Sequence, residues 1–248
     1  MQKGQEILGD VDGDNFGFSM CMPDANTLLV GSPYNDGNGN NSGSVKVYAF
    51  DGTSWVQKGT TLYGESADNF AGYSVSMPDA NTLAFGAYAN AAIGYLSGQV
   101  KIFSWNGSAW VQKGGDLAGE ASEDMFGWSV SMPDANTIAV GAKGNDGNGA
   151  ESGHARVWSW NGTSWVQKGG DINGEAAGDN FGHSVSMPNS NKLAVSSIAN
   201  QGNGTNAGHV RIFDWNGTAW VQSATDIDGE ASGDQSGYSI SMVNENLS

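Results

Sequence analysis

Apolar residues fall in short runs along the chain, separated by clusters of Gly, Asn, Asp, Pro and Ser, and no stretch keeps the 3.6-residue period of an amphipathic helix. From Phe126 to Met132, Val130 and Met132 alternate with Ser129 and Ser131, a period of two that predicts a strand. Pro133-Asp134-Ala135-Asn136-Thr137 then reads as a turn, because Pro presets φ while Asp and Asn bond to their own backbone. Thr137 to Ala142 holds the continuous run Ile-Ala-Val, the pattern of a strand covered on both faces. After the polar loop 143–152, the segment Gly153 to Trp160 puts Ala155 and Val157 on one face and Arg156, Trp158 and Trp160 on the other. Asn161-Gly162 predicts a two-residue hairpin with φ > 0 at both positions, and Trp165 opens a fourth strand running to about Ile172.

This four-strand unit recurs. Trp165-Val166-Gln167-Lys168-Gly169 is repeated in full at Trp55 and Trp110 and in altered form from Trp220, always 55 residues on. One period before Val56 stands Met1, followed by Gln2-Lys3-Gly4. Four-stranded units at such a pitch are the signature of propeller blades, so the chain is read as an all-β β-propeller array. Four full blades fit at about 16–64, 71–119, 126–174 and 181–229. A partial blade remains at the ends: 1–9 matches an outer fourth strand, and Ser236 to Met242, within 236–248, matches an inner first strand. Open strand edges associate readily, so the terminal strands are expected to pair in a homo-oligomer or larger assembly, or to belong to a longer array.

Phe16-Gly17, Phe126-Gly127 and Phe181-Gly182, the Asn-Thr-Leu/Ile second strands and the Asn35-Asp36-Gly37-Asn38-Gly39 loop resemble FG-GAP repeats, the blade unit of integrin-α-like β-propellers. The resemblance spans essentially the whole chain. It implies an extracellular or surface-displayed module for adhesion, ligand binding and protein–protein contact, often with calcium. Fold does not dictate function, so the job must be argued from a site.

Charge narrows the partners. Twenty-six acidic against ten basic side chains give a net charge of −16, which repels nucleic-acid phosphates and anionic membranes. Eight of the ten cations are distributed by the repeat: Lys3, Lys58, Lys113 and Lys168 share one position, and Lys46, Lys101, Arg156 and Arg211 another. No apolar run is long enough for a membrane helix, and residues 1–10 already belong to the repeat, so no signal peptide is visible. The single cysteine, Cys21, stands where later copies have Ser76, Ser131 and Ser186 and reads as a small packed residue.

Two sets of oxygen-rich loops are candidates for calcium, which needs several hard oxygens converging from a tight loop. The first is Asp10, Asp12 and Asp14; the second is Asp36 and Asn38, echoed at Asp146 and Asn148. Structural turns explain the same residues, and in integrin-type blades the calcium loop lies between the first two strands, where this chain has only the Pro-Asp-Ala-Asn-Thr turn. The acids Asp10, Glu65, Glu120, Glu175 and Glu230, each after a Gly, are expected to bond the next blade's backbone or a repeated cation.

Catalytic groups are scarce. His154 and His209 share a position with Ser44 and Gln99, and His183 stands in register with the aromatics Phe18, Tyr73 and Trp128; packed or solvated histidines are the expectation. There is no Gly-x-Ser-x-Gly elbow, no His-Glu-x-x-His and no phosphate-cradling loop. The repeated Trp55, Trp110, Trp165 and Trp220 are read as filler between blades rather than sugar platforms. Of the sequons at Asn40, Asn106, Asn161, Asn203, Asn216 and Asn246, three coincide with hairpin turns, which explains them without glycosylation.

Symmetry breaks most sharply in the second copy, where the long loop reads Tyr88-Ala89-Asn90-Ala91-Ala92-Ile93-Gly94-Tyr95-Leu96. Either Tyr88, Ile93, Tyr95 and Leu96 form a contact surface on a rigid scaffold, or Ile93 and Leu96 fold back on their own blade. The function expected is a non-catalytic module contacting a protein or glycan through propeller-face loops. The alternative is a structural protein that self-assembles through its terminal strands.

Overall fold

The computed structural model describes residues 2–243, so Met1 and 244–248 of the terminal pieces lie outside the described residues. The first blade contains β1 (Ser19–Asp24), β2 (Thr27–Ser32), β3 (Ser44–Phe50), β4 (Trp55–Gln57) and β5 (Leu62–Tyr63). The second contains β6 (Ser74–Asp79), β7 (Thr82–Ala87), β8 (Gln99–Trp105), β9 (Trp110–Gln112) and β10 (Leu117–Ala118). β11 (Phe126–Asp134), β12 (Thr137–Ala142), β13 (His154–Trp160), β14 (Trp165–Gln167) and β15 (Ile172–Asn173) make the third. β16 (Phe181–Asn189), β17 (Lys192–Ser197), β18 (His209–Trp215), β19 (Trp220–Gln222) and β20 (Ile227–Asp228) make the fourth.

Each blade is an antiparallel meander whose outer strand is broken into two pieces, both paired to the third strand. The break corrects the single strand expected from Trp165 to Ile172. Trp158 faces Gln167 and Ala155 faces Ile172, so the outer strand spends extra residues in a bulge held by Lys168 N–H on the Val157 carbonyl at 2.7 Å.

Two turns also differ from expectation. Asp134 pairs with Thr137, so Pro133 and Asp134 stay in the strand and only Ala135 and Asn136 turn. Pro133 has no N–H to give, and the register slips at that point, between Ser131 and Asp134. At the other hairpin, Asn161 N–H bonds Ser164 O at 3.1 Å, leaving Gly162 and Thr163 as central residues with only Gly162 at positive φ, +102°. That is the Gly-first two-residue turn. Asn161 instead caps it, its Oδ1 accepting from Thr163 and Ser164 N–H, both at 2.9 Å.

Blades stack face to face, and the two faces of a central strand enter different cores. Trp158 lies in the core shared with Val100, Ile102 and Val130, while Ala155 and Val157 lie with Phe181, Val185 and Leu193. The small hydroxyls of the inner strands tie these stacks. Ser74 and Ser129 Oγ donate to the Gly127 and Gly182 carbonyls at 2.8 Å, and Ser76 and Ser131 Oγ accept from Met132 and Met187 N–H at 2.9 and 3.0 Å. Cys21, at the same position, donates to the Met77 carbonyl at 3.6 Å.

The terminal pieces follow this pattern without forming strands. Trp55 Nε1 donates to the Lys3 carbonyl at 2.9 Å as Trp110 Nε1 does to Lys58 at 2.8 Å. Met242 N–H donates to Ser186 Oγ at 2.9 Å. Residues 2–9 thus take the place of an outer strand before the first blade, and 236–243 that of an inner strand after the fourth.

Candidate binding face

The β1–β2 and β3–β4 hairpins share one end of every blade, so the long loops between second and third strands and the connections between blades share the other. Every residue singled out above for binding or calcium lies on this loop end.

A repeated turn builds the main feature there. Asn15, Phe70, Met125, Asn180 and Gln235 all hold φ between 49° and 55°, and the glycines two residues on, Gly17, Gly72, Gly127, Gly182 and Gly237, hold φ between 83° and 90°. Each turn closes by a backbone bond from the following residue, for example Tyr73 N–H to Phe70 O at 3.1 Å. That following residue is Phe18, Tyr73, Trp128, His183 or Tyr238. Side by side, these rings form an arc with centroid spacings of 4.8, 4.6, 5.9 and 5.0 Å. Such distances are those of attractive aromatic pairs.

Tyr88 joins the arc, 4.6 Å from Tyr73 and 5.1 Å from Trp128. Phe70 stacks on Tyr88 at 5.5 Å, and Tyr34 meets Phe70 edge-on at 5.4 Å. Phe18, Tyr34 and Tyr238 are exposed, while the central rings are half-buried. Lys143 places Nζ 3.3 Å from the Trp128 ring centroid. Burial pulls its ammonium below the usual range, opposed by Glu151, and burial with Lys143 pushes His183 down to about 4. Burial raises the Tyr73 phenol, so the arc offers neutral rings, a phenol and an uncharged imidazole at neutral pH.

The apolar loop lies beside it. Ile93 and Tyr95 are exposed, whereas Leu96 is half-buried with φ +53°. Tyr95 and Leu96 wall a cavity of about 400 Å³ together with Phe70, Asp68 and Ala91. Leu96 thus turns inward, and Ile93 and Tyr95 face solvent.

Asp10, Asp14, Asp36 and Asp146 are engaged by the scaffold. A cleft of about 480 Å³ gathers Asp10, Asp12, Asp14 and Asp36 with Tyr34 and Tyr63. Asp10 pairs with Lys46, Asp14 accepts from Asn35 Nδ2 at 2.6 Å, and Asp36 Oδ1 accepts from Asn41 N–H at 2.8 Å. Asp146 likewise accepts from Glu151 N–H at 2.8 Å, while Asn38 and Asn148 donate to the Gly64 and Gly174 carbonyls at the ends of their own blades at 2.7 and 2.8 Å. Among the described residues, the groups of three His, Asp or Glu side chains close enough to share one ion lie elsewhere, at Glu120, His154 and Asp171 and at Glu175, His209 and Asp226. The repeated acids meet the repeated cations: Glu65 pairs with Lys101 at 2.5 Å, Glu120 with Arg156, and Glu175 lies 3.6 Å from Arg211.

Among the repeated tryptophans, Trp110 is buried and Trp55, Trp165 and Trp220 are half-buried. Their indole N–H groups bond to the preceding unit, Trp165 to the Lys113 carbonyl at 2.7 Å. They are packing residues, as the repeat implied. The arc was the feature sequence reasoning missed, although the register of His183 with Phe18, Tyr73 and Trp128 was its signal.

Residues 10–50, 118–158 and 173–213 match the FG-GAP repeat family. No curated protein sequence matches the chain at a significant level. Among solved structures, a candidate 6-phosphogluconolactonase from Bacteroides fragilis superposes with a TM-score of 0.55 at 11% identity, covering 90% of this chain and 58% of its own. A second candidate 6-phosphogluconolactonase, from Bacteroides uniformis, gives a TM-score of 0.47 at 10% identity, covering 84% and 70%. The chain thus spans less than two thirds of the first of these, and at that identity the likeness speaks to the fold alone. With three matched repeats and four blades of the propeller type, the chain is an FG-GAP repeat protein with a β-propeller fold.

Proposed function

We propose that this protein is a non-catalytic binding module, displayed outside the cell or on a surface, that takes a protein or glycan on its loop end. The observation that carries the reading is the aromatic arc from Phe18 to Tyr238 with Tyr88 at its side. A row of ring faces supplies large rigid contact area at little entropic cost, and Ile93 and Tyr95 extend it outward. Stacking of a sugar ring or an aromatic or aliphatic side chain suits such a surface, while the net charge of −16 favours neutral or cationic partners. The test is a glycan array together with a pull-down using the intact chain. Hits lost in Trp128→Ala and Tyr88→Ala support the reading. Empty results in both formats beside a robust hydrolytic activity overturn it.

A second reading, assembly from chain to chain, rests on β1. Met20 and Met22 are 64% and 52% exposed, whereas Met77, at the position of Met22, is 2% exposed under the neighbouring blade. This face is built to receive a blade, and another copy would bury it. A species that sediments as a monomer at micromolar concentration removes this reading.

A further inference from the structure

The seams between blades carry a second, unequal feature. In each, an acid from one blade, a repeated cation and the first residue of the next blade's third strand come together. In the second seam that residue is Gln99, whose Nε2 donates to Asp116 at 2.8 Å and reaches Glu65 at 3.5 Å. In the third it is His154, and Arg156 closes the seam by pairing with Glu120 and by a two-point contact to Asp171 at 2.8 and 3.0 Å.

The fourth seam is left open. Arg211 turns away to the amide oxygen of Gln222, donating from Nε and Nη2 at 2.9 and 2.7 Å. It stays 3.6 Å from Glu175 and 3.9 Å from Asp226, beyond the contacts its counterpart makes. Asp228 replaces Asn173 in the strand position facing the histidine, adding a carboxylate the third seam lacks.

His209 sits at the centre of this pocket. Its side chain is 1% exposed, and Nε2 has no hydrogen-bond partner among the described residues. Nδ1 points at the acids but stands 3.5 Å from Asp226 Oδ2 and 4.0 Å from Asp228 Oδ1, too far for a good N–H···O bond. Ligand atoms of Glu175, His209 and Asp226 all lie within 4.8 Å of one another. With metal–ligand bonds of about 2.0 to 2.1 Å, the edge of a tetrahedral site is about 3.4 Å, close to the 3.5 Å between Nδ1 and Asp226 Oδ2.

We propose that Glu175, His209 Nδ1 and Asp226, with Asp228 beside them, bind one divalent transition-metal ion of the zinc class. Three carboxylates against one guanidinium leave two negative charges, which a divalent ion neutralises. Mixed imidazole and carboxylate ligands suit zinc and cobalt better than calcium. Gln222 Nε2 donates to the second oxygen of Asp226 at 2.5 Å and orients it as outer-shell partners of metal sites do. A bond at Nδ1 also offsets the burial of an imidazole that otherwise has little to bond.

The test is titration of the chelator-stripped, intact protein with Co²⁺, followed by its visible absorption and by displacement with Zn²⁺. One equivalent with the intense bands of tetrahedral cobalt is expected. Asp226→Asn is expected to weaken binding at least tenfold and His209→Gln to remove the tetrahedral spectrum, with His154→Gln leaving both unchanged. His209→Gln reproduces the residue at Gln99, which this fold already accommodates in the equivalent place, and its melting curve verifies folding. No saturable binding to the wild-type chain, or binding that survives His209→Gln and Asp226→Asn, overturns the proposal.

Discussion

Ser74 Oγ donates to the carbonyl of Gly127, one blade away, at 2.8 Å, and the same carbonyl lies against Gly86 so closely that a Cβ there would overlap it. Two blades therefore touch backbone to backbone, with a hydroxyl as the only spacer.

Gly86→Ala should accordingly destabilise the fold by about 1–3 kcal/mol through overpacking, and Ser74→Ala by about 1 kcal/mol through loss of a half-buried hydrogen bond. Urea unfolding midpoints check both. A Gly86→Ala protein as stable as the wild type would contradict backbone contact.

The two classes of tryptophan should separate cleanly. Trp110→Ala removes a buried ring between blades and is expected to cost about 3–5 kcal/mol. Trp128→Ala, in the half-buried arc, should cost less and should abolish whatever binding the glycan array or pull-down detects. Thermal melts and binding measured on the same two proteins decide it.

Arg156 is held between two acids and is 7% exposed. Arg156→Ala leaves Glu120 and Asp171 facing each other and is expected to cost about 1.5–3 kcal/mol, the range for charged hydrogen bonds, because both acids keep access to solvent. Adding Glu120→Gln should recover part of that loss, as double-mutant denaturation curves would show.

Acid should weaken the fold through its buried histidines. Burial, then Arg156, pushes His154 down to about 4 from an ordinary value of 6.5. The unfolded chain thus binds the proton first, so this contribution is full above pH 6.5 and is lost as pH falls towards 4. A fall from 6.5 to about 4 corresponds to about 3 kcal/mol at most. In His154→Gln the stability between pH 6.5 and 4 should flatten by that amount, and an unchanged slope would argue against a neutral buried His154.

Much of the architecture was legible because a repeat constrains itself. Trp165-Val166-Gln167-Lys168-Gly169 and its copies set the 55-residue pitch, and alternation such as Val130 and Met132 against Ser129 and Ser131 assigned strands and faces. For the repeated acids the register left two partners open, the next blade's backbone or a repeated cation, and the structure pairs Glu65 with Lys101 and Glu120 with Arg156. Local turn chemistry was less secure: Asn161-Gly162 and Gly162-Thr163 are both plausible hairpin centres, and the pairing of Trp160 with Trp165 chose between them.

Tertiary structure decided whatever depends on residues one blade apart. Phe18, Tyr73, Trp128, His183 and Tyr238 stand 55 residues from one another in the chain, and only the stacking of blades brings their rings within 4.6 to 5.9 Å. The same holds for Glu175, His209 and Asp226, whose counterparts in the third seam differ by how one guanidinium turns. Periodicity fixes which side chains share a position, but the distance and angle between blades determine which of them meet, and those are set by packing across the seams.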